Sequence, residues 1–101
     1  MDKKPKILIA DDSYMNREIL SDTLGDTYVY SMAENGVQAV ELMQEDPNID
    51  LIMLDINMPE MDGFGVLEFM KKWHCIDEIP VIIISSENDA SFIRRAYDMG
   101  A

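Results

Sequence analysis

The chain has 101 residues, 48% of them hydrophobic, which sets a single compact domain (1–101) as the ceiling and leaves a core of its own with little margin. Twenty acidic residues stand against eight basic ones, for a net charge of -12. That balance argues against a nucleic-acid backbone or an anionic membrane as partner, and favours a basic partner or a bound divalent cation. The lone cysteine, Cys75, rules out an internal disulfide and suits a reducing cytoplasm. No apolar run reaches the roughly 18 residues of a membrane span. The basic start, Met1-Asp2-Lys3-Lys4-Pro5-Lys6, is followed by an apolar stretch that stops at Asp11, too short for a signal peptide.

Short apolar runs alternate with longer amphipathic segments, the pattern of βα units around a parallel sheet. A first strand is expected over Lys6–Ala10. A helix follows over Ser13–Leu24, with Met15, Ile19, Leu20 and Thr23 at helical spacing and Ser13 as its cap. Gly25-Asp26 stops it, and Tyr28–Met32 reads as the second strand. After Asn35-Gly36, the residues Val37, Val40 and Met43 mark a second helix that ends before Pro47. The third strand is Leu51–Leu54. A loop with Met58-Pro59 and Asp62-Gly63 leads to a third helix over Phe64–Trp73, with Val66, Leu67 and Met70 inward. Val81–Ile84 is apolar at every position and reads as a fourth strand buried on both faces. A fourth helix over Asp89–Met99 places Phe92, Ile93 and Ala96 on one side, and Gly100 stops it.

Asp11 and Asp12 follow the first strand directly, and Asp55 follows the third. In an open parallel sheet, ligands bind at the C-terminal edge of the strands, where strand order reverses. Two unit charges about 4 Å apart repel by about 4 kcal/mol at an effective dielectric near 20, so such a meeting of acids needs a reason. Taken singly, Asp11-Asp12 could serve as cap and first-turn acid of the first helix, and Asp55 as an ordinary loop acid. Taken together they suit Mg²⁺, a hard cation that prefers oxygen ligands, with one carboxylate left as a nucleophile.

Three stretches then carry a resemblance. They are Ile7-Leu8-Ile9-Ala10-Asp11-Asp12-Ser13, the run from Leu51 through Asp55-Ile56-Asn57-Met58-Pro59 to Gly63, and Val81-Ile82-Ile83-Ile84-Ser85-Ser86. In this order and spacing, over nearly the whole chain, they resemble the receiver domain of bacterial two-component response regulators, the CheY-like family. The resemblance implies a doubly wound, flavodoxin-like α/β fold with strand order 2-1-3-4-5. It implies that Asp55 accepts a phosphoryl group from a histidine kinase or phosphotransfer protein. Asp11 and Asp12 would then bind Mg²⁺ with Asp55 and the backbone carbonyl of Asn57, and the Ser85 hydroxyl would bind the phosphoryl group. The side chains of Asn57 and Glu87 would tune hydrolysis of the acyl phosphate. By the same resemblance the chain is a phosphoacceptor and switch, catalysing only its own phosphorylation and dephosphorylation.

The chain departs from the family pattern at its end. Receivers continue into a fifth strand with an aromatic switch residue and a terminal lysine that contacts the phosphoryl group, and then into a fifth helix. Here no lysine follows Lys72, and Arg94 and Arg95, expected to be solvated on the fourth helix, are poor substitutes. The expectation is a receiver truncated before strand five, able to bind Mg²⁺ but weakly switched by phosphorylation. Strand four would then be an edge that invites self-association. Two rival readings are a phosphohydrolase of the haloacid-dehalogenase type and a non-signalling assembly module. The first needs a second aspartate where Asn57 stands. His74 reads as a solvated helix-end residue, Cys75 as a partly buried thiol, Trp73 as helix-end packing and the nine methionines as core filler.

Overall fold

The computed structural model describes residues 4–46, 48–73, 78–84 and 90–101, the side chains of Ala90 and Phe92 excepted. Its elements run β1 (Lys6–Ala10), α1 (Tyr14–Leu24), β2 (Val29–Ala33), α2 (Gly36–Glu45), β3 (Leu51–Leu54), α3 (Gly63–Lys72), β4 (Val81–Ile83) and α4 (Ala90–Asp98). The four strands form one sheet in the order β2-β1-β3-β4, and every neighbouring pair is parallel. From β1 the chain moves outward to β2, then crosses back to β3 on the other side. Strand order therefore reverses between β1 and β3, and their C-terminal ends flank the crevice.

The alternation of side chains along β1 divides the core between two faces. Leu8 and Ala10 point into the larger cluster, with Ile52 and Leu54 from β3, Ala39 from α2, Val66, Leu67 and Met70 from α3, and Ala96 from α4. Ile7, Ile9 and Met53 point the other way, where Leu20 and Leu24 of α1 and Tyr30 of β2 pack against them. Leu8, Ile9, Ile52 and Leu54 are fully buried. Truncating any of them to alanine would cost about 2–5 kcal/mol.

Ser13 caps α1 as the sequence suggests, accepting from Asn16 N; the structure adds Asn35 as cap of α2 through Gln38 N and Asp62 as cap of α3 through Gly65 N. Three expectations need correction. In α1, Met15 and Ile19 face solvent, Met15 at 70% exposure, while Arg17 is buried. The inward stripe is Arg17, Leu20, Ser21 and Leu24, at i, i+3, i+4 and i+7, because a backbone carbonyl beneath α1 takes a hydrogen bond from Arg17. Second, β2 begins at Val29 rather than Tyr28, with Val29 and Met32 exposed. Third, β4 is not buried on both faces. Ile82 is 48% exposed, and among the described residues β4 has no neighbour beyond β3.

The loop from Asp55 to Gly63 is fixed at both ends by glycines without side-chain bulk. Gly63 N donates to Ile56 O at 2.8 Å, and a Cβ on Gly63 would stand 2.5 Å from the Asp55 carbonyl oxygen. The demand at Gly63 is therefore close approach to the strand end. Gly36 N likewise donates to Met61 O at 2.9 Å, and a Cβ there would stand 2.8 Å from Met61 Cβ. The start of α2 is thus clamped to the loop that follows β3.

Candidate functional site

The β1–β3 register pairs Ala10 with Leu54, so the next residue on each strand, Asp11 and Asp55, stands beside the other. Both backbones are held in extensions of the ladder: Asp55 N donates to Ala10 O at 2.9 Å, and Asp11 N donates to Ala33 O at 3.0 Å. Asp11 is 2% exposed and Asp55 6% exposed, while Asp12 reaches solvent. One carboxylate oxygen from each of Asp11, Asp12 and Asp55 lies within 4.8 Å of the other two. Parallel pairing brings Asp11 and Asp55 together, and Asp12 follows Asp11 in the chain.

Hydrogen bonds aim the acids. Asp11 Oδ1 accepts from Ser13 N at 2.9 Å, and Oδ2 from Asn16 Nδ2 at 3.4 Å. Asp55 Oδ1 accepts from Asn57 N at 3.4 Å. Burial first, and the negative charge of Asp11 next, push the Asp55 carboxyl from its ordinary 3.8 up to about 6, against the pull of the Asn57 and Ile56 amides. A buried acid raised in this way, between two others, is stable as an anion only at a cost in folding energy. Hard oxygen donors grouped like this fit a small divalent cation by their chemistry.

The structure therefore brings together Asp11, Asp12 and Asp55, with Asn57 two residues beyond Asp55 on the exposed side of the loop. Ser85 and Glu87 lie outside the described residues, as do His74 and Cys75. Arg95 is exposed, but its guanidinium carbon stands 4.0 Å from the centroid of the Phe64 ring, at the start of α3. Trp73 is also exposed and leans on Phe69 with ring centroids 5.6 Å apart. One residue of the site was not anticipated. Arg17, which the apolar spacing of the first helix does not mark, is buried and donates Nη1 to the Asp11 carbonyl at 2.5 Å. The only signal for it was its place four residues after Ser13, the cap of α1.

Comparison with known proteins settles the family. Residues 7–101 match the model of the response regulator receiver domain. The chain belongs to this family. This receiver is 37% identical over 99 residues to the two-component response regulator ORR3 of Oryza sativa subsp. indica, covering 97% of the chain and 76% of the relative. The chemotaxis protein CheY4 of Vibrio cholerae superposes with a TM-score of 0.86 at 28% identity, over 98% of this chain and 82% of that one. The response regulator domain of Thermotoga maritima CheB gives 0.82 at 30% identity, over 98% and 75%. Receivers are signalling domains with a phosphoacceptor function, and they act with histidine kinases or phosphotransfer proteins. Neither the phosphohydrolase nor the assembly reading is favoured. Among the described residues no helix is long and apolar enough to cross a membrane.

Proposed function

We propose that this receiver takes a phosphoryl group onto Asp55, with Mg²⁺ held by Asp11, Asp12, Asp55 and the backbone carbonyl of Asn57. The observation that carries the proposal is the convergence of three carboxylates from two strand ends within 4.8 Å, two of them buried. Such an arrangement opposes folding unless a cation or a reaction uses it. Bound there, the ion supplies positive charge beside the equatorial oxygens of the phosphoryl group.

The residues of the chain do the rest. With its carboxyl at about 6, Asp55 is largely ionised at neutral pH and presents an oxygen lone pair. That oxygen forms the new O–P bond as the P–N bond of a partner's phosphohistidine breaks, and the electron pair stays on the imidazole nitrogen. The clamps at Gly36 and Gly63 hold the loop so that Asp55 and Asn57 keep one geometry. We assign the Ser85 hydroxyl to one phosphoryl oxygen, and the Asn57 and Glu87 side chains to the rate of hydrolysis, by the family pattern. Residues 1–101 act in this reading as one receiver unit in the cytoplasm, a switch without a released product. The exposed edge at Ile82 fits pairing with a second copy.

Acetyl phosphate with Mg²⁺ provides the test. The chain is expected to gain one hydroxylamine-sensitive phosphoryl group, and Asp55→Asn to gain none. Labelling that survives the substitution would move the acceptor elsewhere.

A further inference from the structure

Among the described residues only three polar or charged side chains are buried: Asp11, Asp55 and Arg17. Two are acids of the site, and the third touches one of them. The Arg17 guanidinium donates Nη1 to the backbone carbonyl of Asp11 at 2.5 Å, and its Nη2 stands 3.8 Å from Glu34 Oε1 in the β2–α2 turn. Tyr14 covers it, with the guanidinium carbon 5.7 Å from the ring centroid. Burying a guanidinium is costly unless its donors are used, and here they are spent on the acid loop and its neighbour.

The consequence is geometric. The Asp11–Asp12 peptide is planar, so fixing the Asp11 carbonyl fixes the plane that joins the two acids and the direction in which Asp12 leaves it. Asp11 N is already tied to Ala33 O, and the Asp11 carboxylate oxygens accept hydrogen bonds from Ser13 N, at the cap of α1, and from Asn16 Nδ2 within it. Arg17 supplies the last anchor, from a rigid fork that spans the Asp11 carbonyl and Glu34 together. We infer that Arg17 is a positioning residue: it orients the Asp11-Asp12 pair and thereby sets the affinity of the site for a divalent cation. This rests on the Mg²⁺ reading above. The sign of the effect separates it from plain electrostatics, since a buried positive charge acting only as a charge weakens cation binding, whereas an anchor strengthens it.

Calorimetric titration with Mg²⁺, well below the unfolding temperature, tests this on the wild-type chain, Arg17→Met and Arg17→Lys, with circular dichroism confirming the folded state. The methionine variant is expected to bind Mg²⁺ about 10- to 100-fold more weakly. The lysine variant, keeping the charge and a single point of contact, is expected to fall between the two. Unchanged or tighter binding by the methionine variant overturns the inference, whatever its stability. If that variant does not fold, the lysine variant decides: weaker binding than wild type supports the anchor, and binding equal to wild type overturns it. A wild-type chain that binds no Mg²⁺ overturns the cation reading itself, and this inference with it.

Discussion

Without Mg²⁺, Asp55 should be a residue that the fold would be more stable without. Its carboxyl moves from 3.8 in the unfolded chain to about 6 in the folded one, which corresponds to about 3 kcal/mol of destabilisation once the group is ionised. The residue is 6% exposed but its crevice opens to solvent beside Asp12 and Asn57, so that figure is an upper bound. Burial makes the larger part of this penalty and the charge of Asp11 the next. In Asp55→Asn the charge disappears while the amide oxygen can still accept from Asn57 N. At pH 7.5 with a chelator, the variant should be up to about 3 kcal/mol more stable in urea. At about 4–8 °C per kcal/mol for a domain of this size, the melting temperature should rise by the order of 10 °C. The sign of the pH dependence follows from the raised pKa. The native state keeps the Asp55 proton longer than the unfolded chain, so the penalty is absent below about pH 3.8, grows up to about pH 6 and is complete above. The difference between variant and wild type should therefore shrink as pH falls from 7.5 through 6 towards 4. A variant no more stable than wild type at pH 7.5, or a difference that does not shrink, would refute the reasoning.

Three further outcomes are expected. Millimolar Mg²⁺ should raise the wild-type melting temperature, because binding stabilises the native state alone, and Asp11→Asn should remove most of that rise; differential scanning fluorimetry reads both. Gly36→Ala should lose about 1–3 kcal/mol in urea titrations, since its Cβ would stand 2.8 Å from Met61 Cβ and closer still to the Met61 carbonyl; a neutral effect would mean that the loop yields freely. In light scattering at tens of micromolar protein, the wild-type chain should self-associate through β4, and Ile82→Lys should shift it towards monomer. A monodisperse wild-type monomer would remove the β4 edge as an interface.

Much of this fold could be read from the chain because its signals agree. The expected bounds of β1 and β3 match those observed, and Ser13 caps α1 where the expected cap lies. Acids placed directly after two strands of a parallel sheet had to meet once β1 and β3 paired in register. The failures come where a pattern allowed two answers. Along α1, Met15 and Ile19 form one apolar stripe and Leu20 and Leu24 belong to another, and the carbonyl of Asp11, which periodicity cannot see, selects the stripe with Arg17. For β4, four apolar residues report hydrophobicity but not the number of neighbouring strands, and among the described residues β4 pairs with β3 alone, leaving Ile82 exposed. Gly36 and Gly63 were legible as glycines, yet what they make room for, Met61 and the Asp55 carbonyl, comes from elsewhere in the chain.

The central claim is that Asp55 carries the phosphoryl group. It is tested most directly by treating the chain with acetyl phosphate and Mg²⁺, reducing it with borohydride, which converts an aspartyl phosphate to homoserine, and sequencing the peptides by tandem mass spectrometry. Homoserine at position 55, and only in the presence of Mg²⁺, is the predicted result. Homoserine at Asp11, Asp12 or another acid, or none under conditions that label a second receiver treated in parallel, would contradict it.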